Sequence, residues 1–169
     1  MTAITEGALT FTFPTGALVC KYDEMSFYRN QFIRMADGIK AMDLAYVDGQ
    51  TFWLIEVKDY RVHPRTKSIE LVDEIAGKLR NTLAGLWAAK CNASDQDEKQ
   101  FAATAIRARK VRVVLHLEEV PQQGRLAPHR SLKTGLLQKM KQKLKSVDAH
   151  PCLVDQRSLK PAMNWTITG

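Results

Sequence analysis

The chain has 169 residues, enough for one domain with a sizeable core and too few for two full ones. At 45% hydrophobic and 25% charged it has the composition of an ordinary globular protein, and no run approaches the ~18 uninterrupted apolar residues of a membrane span. The formal charge of +7 is uneven: residues 1–98 carry 11 basic and 14 acidic groups, residues 99–145 carry 12 and 2, and such a basic half favours a polyanion partner.

The opening MTAITEGALTF has no basic region ahead of a long apolar block, so a secretory signal is not expected. Cys20, Cys91 and Cys152 are odd in number and widely spaced, which fits neither a disulfide framework nor a CxxC zinc site. They suit a reducing, cytoplasmic setting as small, semi-buried hydrophobes.

In chain order, the apolar runs 8–14 and 16–22, separated by Pro14-Thr15-Gly16, predict a hairpin over 8–22. Residues 23–36 predict a short helix with Asp23 near its start. Strands follow at about 39–47 and 51–60, joined by Asp48-Gly49-Gln50, an Asp-Gly hairpin signal. After His63-Pro64-Arg65, a helix is expected over about 68–90, opened by Ser68, with Ile69, Val72, Ile75, Leu79, Leu83, Leu86 and Trp87 as its apolar stripe. Lys78, Arg80 and Asn81 read as its exposed polar face.

Ser94 or Asp95 is expected to cap a second helix running to about Arg109. VRVVLHLEEV (111–120) reads as an internal strand in which His116 is a hydrogen-bonded core residue. Residues 121–130 form a loop, a basic amphipathic helix is expected at about 131–147 and a strand at 151–155, and 164–167 either adds an edge or lies loose. The whole reads as a single α/β domain over 1–169, a central mixed β-sheet between helices, with its core from about 39 to 155.

One stretch stands out chemically. In AMDLAYVDGQTFWLIEVKDYR (41–61), Asp43, Glu56 and Lys58 interrupt apolar strands. Burying a carboxylate without a partner is costly, so something must compensate. Glu56 and Lys58, at i and i+2, share one face of their strand, and the hairpin brings Asp43 alongside. Two carboxylates and the Val57 backbone carbonyl make an oxygen-rich set suited to Mg2+ or Mn2+. Lys58 would position the attacking water or stabilise charge on a phosphate.

Met42-Asp43, twelve intervening residues, then Glu56-Val57-Lys58 closing an apolar strand resembles the PD-(D/E)XK, restriction-endonuclease-like superfamily. The resemblance implies a mixed sheet flanked by helices and a magnesium-dependent endo- or exonuclease, DNA ahead of RNA as substrate. Asp43 and Glu56 would be metal ligands and Lys58 the catalytic lysine, and such families often add an acidic ligand from a preceding helix, for which Asp23 or Glu24 could serve. His63 and Arg65 are candidate phosphate contacts beside the triplet. Arg125, Arg130, Lys139 and Lys143 are candidates for a wider nucleic-acid footprint. The alternative is a non-catalytic nucleic-acid-binding or protein-interaction subunit of a larger defence or repair complex. A homodimer would supply two sites for cutting a duplex, and no membrane partner is expected.

Overall fold

A computed structural model describes residues 1–63, 65–120 and 128–169, with the backbone alone for 128–132. β1 (Thr2–Glu6) and β2 (Leu9–Phe13) form an antiparallel hairpin, turned by Gly7 at a φ of 58°. A side chain at that angle would be strained, so glycine fits the tight turn. β3 (Leu18–Lys21) leaves for another sheet, and the hairpin expected over 8–22 does not form. Leu9, Phe11 and Phe13 all bury one face of β2, while Pro14, without an N–H, ends its ladder.

The helix expected over 23–36 breaks into a 3-10 turn (Tyr22–Glu24), the short α1 (Ser26–Asn30) and a second 3-10 turn (Phe32–Met35). No apolar stripe sustains it. α1 instead takes its N-terminal partner from far along the chain: the Glu98 carboxylate accepts from Ser26 N at 2.5 Å and Phe27 N at 2.9 Å.

From there the sequence pattern holds well. β4 (Leu44–Asp48) and β5 (Thr51–Asp59) form the expected hairpin. α2 (Leu71–Asn92) starts after Ser68, with no side-chain cap. α3 (Gln96–Arg107) is capped by Asp95, whose Oδ1 accepts from Asp97 N and Glu98 N. β6 (Lys110–Glu118), α4 (Pro128–Leu144), β7 (Cys152–Val154) and β8 (Thr166–Thr168) complete the order. The loop expected at 121–130 lies largely outside the described residues.

The fold is mixed α/β. A five-stranded sheet runs β3-β4-β5-β6-β7, and a three-stranded one runs β1-β2-β8. β3, β4 and β5 pair antiparallel, whereas β5-β6 and β6-β7 are parallel, because α2-α3 and α4 carry the chain back across. Strand alternation then divides two cores. Phe52 and Leu54 of β5 face the helices, with Ile75, Leu79 and Leu86 of α2, Phe101 of α3 and Met140 of α4. Trp53, Ile55 and Val57 face the small sheet, with Leu9, Phe11, Phe13 and Trp165. Helices therefore cover one face of the large sheet, not both as expected. The small sheet covers the other. His116 is buried there against the Phe11 ring, its Nε2 2.9 Å from Glu118 Oε1.

Candidate functional site

Glu56 and Lys58 continue the Phe52-Leu54 face of β5 and so point into the helix layer, where α2 passes. Asp43 lies just ahead of β4, held by Met42 N donating to Thr82 Oγ1 of α2 at 2.9 Å and by its own Oδ2 accepting from Val57 N at 2.7 Å. The three residues singled out from sequence thus converge, and Asp43 and Glu56 are buried.

What lies between them was not anticipated. Lys78 of α2, read as an exposed helix residue, is buried, and its Nζ sits 3.0 Å from Asp43 Oδ1 and 2.6 Å from Glu56 Oε1. Lys58 Nζ approaches the same Glu56 oxygen at 2.5 Å and Glu74 Oε1 at 3.4 Å. Glu74 in turn holds Lys67 at 2.7 Å and Arg65 at 2.9 Å. Arg65 also donates to Ile69 O at 2.5 Å. The result is one chain of alternating charge, with three carboxylates and four cations, that ties the β4–β5 hairpin to α2 and the segment before it. Sequence periodicity contained the signal for Lys78: it follows Ile75 by three residues and precedes Thr82 by four, inside the buried stripe. Glu74, four residues before Lys78, carried the same signal.

The cluster sets its own protonation. Burial, then the Asp43 charge, pushes the Glu56 carboxyl up to about 7 against the pull of Lys78 and Lys58. Burial opposes the Lys78 charge, yet Glu56 and Asp43 outweigh it and hold the ammonium protonated well above its ordinary range. Glu74 is buried too, but Lys67 and Arg65 bring it down to about 2.

Because folded Glu56 keeps a proton that the unfolded chain releases near 4.5, its contribution to stability falls as pH rises from about 4.5 to about 7, by on the order of 3 kcal/mol. Glu74 acts oppositely: its contribution is present above about 4.5 and is lost as pH falls toward about 2. Thermal melts from about pH 5 to about pH 8 should therefore show wild type losing ground to Glu56→Gln. A constant gap across that range would contradict the assignment.

The residues present do not suit a divalent metal. The Lys78 ammonium bridges the two carboxylates that would bind it, and Val57 offers Asp43 an N–H. Among the described residues no group of three or more His, Cys, Asp or Glu side chains could hold a metal ion. Glu24 pairs instead with Lys21 at 2.8 Å.

The other candidates are scattered. His63 is exposed, and Arg65 is committed to Glu74. Lys139 stands 2.9 Å from Glu70 and Lys143 2.8 Å from Asp73, so both face carboxylates of or beside α2. Arg125 and the Arg130 side chain lie outside the described residues.

Cysteine--tRNA ligase of Neisseria meningitidis is 34% identical to this chain over 167 residues, a match taking in 81% of the chain and 24% of that protein. The chain is similar to part of a ligase. It spans about a quarter of that relative's length. No family model matches the chain, and no solved structure matches it.

The similarity to a ligase overturns the PD-(D/E)XK reading, and with it the expectations of a nuclease, a hydrolase and a magnesium-dependent phosphodiesterase. The physical reason lies in the cluster. Metal-dependent phosphodiester hydrolysis needs the gap between the carboxylates open to a cation and water, and here an ammonium fills it. Among the described residues no helix is long and apolar enough to cross a membrane.

Proposed function

We propose that this chain is a tRNA-binding domain related to part of a cysteine–tRNA ligase, serving recognition of the nucleic acid and not the ligation itself. The observation that carries the reading is the 34% identity to a protein named for its tRNA substrate, spread over 81% of this chain. The shared segment is about a quarter of that protein, which favours a binding role over the full reaction. The excess of basic over acidic groups across residues 99–145 supports it independently, because cations that displace phosphate counterions supply most sequence-independent affinity. The buried cluster then has a structural task, fixing the β4–β5 hairpin to α2.

The test is binding of purified tRNA, read by fluorescence anisotropy across a salt series, against duplex DNA of similar length. We expect tRNA to bind more tightly than the duplex, and its affinity to fall by at least tenfold between about 50 and about 200 mM salt. No tRNA binding at the low-salt end would overturn the reading.

A further inference from the structure

We propose that the solvent-facing ridge of α2 binds an unpaired stretch of RNA, with a phosphate held by Lys40 and Arg80 and a base stacked on Trp87. This deepens the tRNA reading and rests on it for the identity of the natural ligand, but its geometry stands apart from the buried cluster.

Two observations meet on one helix face. The first is a cavity of about 230 Å³ along the N-terminal half of α2, lined among others by Lys40, Lys67, Lys78, Arg80 and Asn81. Its acidic lining residues are already neutralised: Asp73 by Lys143, and Glu74 by Lys67, Arg65 and Lys58. Lys78 and Lys67 are likewise taken. Lys40 and Arg80 are exposed and face no carboxylate among the described residues, so two positive charges remain unmatched at the cavity mouth. Asn81 Nδ2 donates to Lys40 O at 3.1 Å and ties the Lys40 backbone to the helix.

The second observation is Trp87. Trp53 and Trp165 are buried, whereas Trp87, expected from the sequence in the buried stripe, is 60% exposed on a helix whose other large apolar side chains face the core. Lys90 Nζ lies over one face of the ring, 4.9 Å from its centroid, so a base would stack on the opposite face. Arg80, Ala84 and Trp87 are all exposed and follow one another at four and three residues, which is one ridge of an α-helix. Arg80 and Trp87 stand seven residues apart, about 10 Å of helix axis.

A positive site and an exposed aromatic ring along one line are the elements by which single strands are held: phosphates find the cations, and a base stacks on the ring. A duplex hides its base faces and would leave Trp87 unused. Unpaired RNA uses both.

The experiment measures binding of tRNA and of a short unpaired oligouridylate to wild type, Trp87→Ala and the Lys40→Glu/Arg80→Glu double variant, while following tryptophan emission. All three positions are exposed, and circular-dichroism melts confirm folding. We expect oligouridylate to quench wild-type emission at its red edge, Trp87→Ala to lose that quench and about tenfold in affinity, and the double variant to lose at least as much with a shallower salt dependence.

If tRNA binds all three proteins equally, the ridge proposal fails while the tRNA reading stands. If wild type binds and is quenched by the oligonucleotide but not by tRNA, the ridge stands and the tRNA reading fails. If wild type self-associates through this face, Trp87→Ala restores a monomer and the oligonucleotide quenches nothing, then the ridge is a protein interface and the proposal is overturned.

Discussion

Lys78→Met should destabilise the protein by about 3–5 kcal/mol, because it leaves Asp43 and Glu56 buried against each other without the ammonium between them. At about 2–4 °C per kcal/mol for a chain of this size, the loss in Tm is roughly 6–20 °C. Methionine keeps most of the volume and the helix propensity, so the change isolates charge. Two controls separate this from ordinary core damage. Adding Asp43→Asn and Glu56→Gln to Lys78→Met removes the stranded charges and should recover much of the loss. Lowering the pH toward 5 should also narrow the gap, since Glu56 is the member of the pair already inclined to hold a proton. In wild type, magnesium or manganese at millimolar concentration should leave Tm unchanged, the bridging position being held by Lys78. A loss below about 1 kcal/mol for Lys78→Met would mean that the cluster is solvated and that the buried-charge account is wrong.

The same residues mark how far the sequence could be read. The convergence of Asp43, Glu56 and Lys58 followed from two short-range rules, the two-residue period of a strand and the Asp48-Gly49 turn, and both hold in the fold. The Asp95 cap and the apolar β6 were legible for the same reason: each is decided by neighbours in the chain. Lys78 was not, because a lysine on a helix ordinarily faces water and only the opposing carboxylates, 35 and 22 residues away, reverse that. The nuclease reading failed at this point. A carboxylate spacing specifies which groups meet but says nothing of what fills the gap between them.

Non-local pairing hid the rest. TAITE at residues 2–6 has little apolar content, and it becomes a strand because it pairs with β2. β2 is paired on its other edge by β8, more than 150 residues on. α1 likewise depends on Glu98, 72 residues beyond Ser26. No local window contains these partners.

Trp165→Ala should cost about 3–5 kcal/mol, a large aromatic deletion from a site unable to collapse. Trp165 is 2% exposed, and its ring lies 5.8 Å from Phe13, 6.0 Å from Tyr46 and 5.2 Å from Trp53, so it touches the small sheet and two strands of the large one. Its neighbour Asn164 accepts from the Tyr46 hydroxyl at 3.0 Å and donates to Asp48 at 3.0 Å, anchoring the segment that delivers β8. Urea melts should show the lost stability, and amide exchange should accelerate first in β1 and β2, whose cover depends on this ring. Uniform acceleration in all strands would mean that the small sheet has no separate opening. Trp165 and Lys78 act on opposite faces of β5 and share no contact partner, so their losses should add to within about 0.5 kcal/mol. Two losses of that size approach the whole stability of an ordinary domain, about 5–15 kcal/mol, and the Lys78→Met/Trp165→Ala protein should be largely unfolded at room temperature. A double variant that still melts cooperatively near the single variants would show the two faces coupled through β5, with one defect relieving the other.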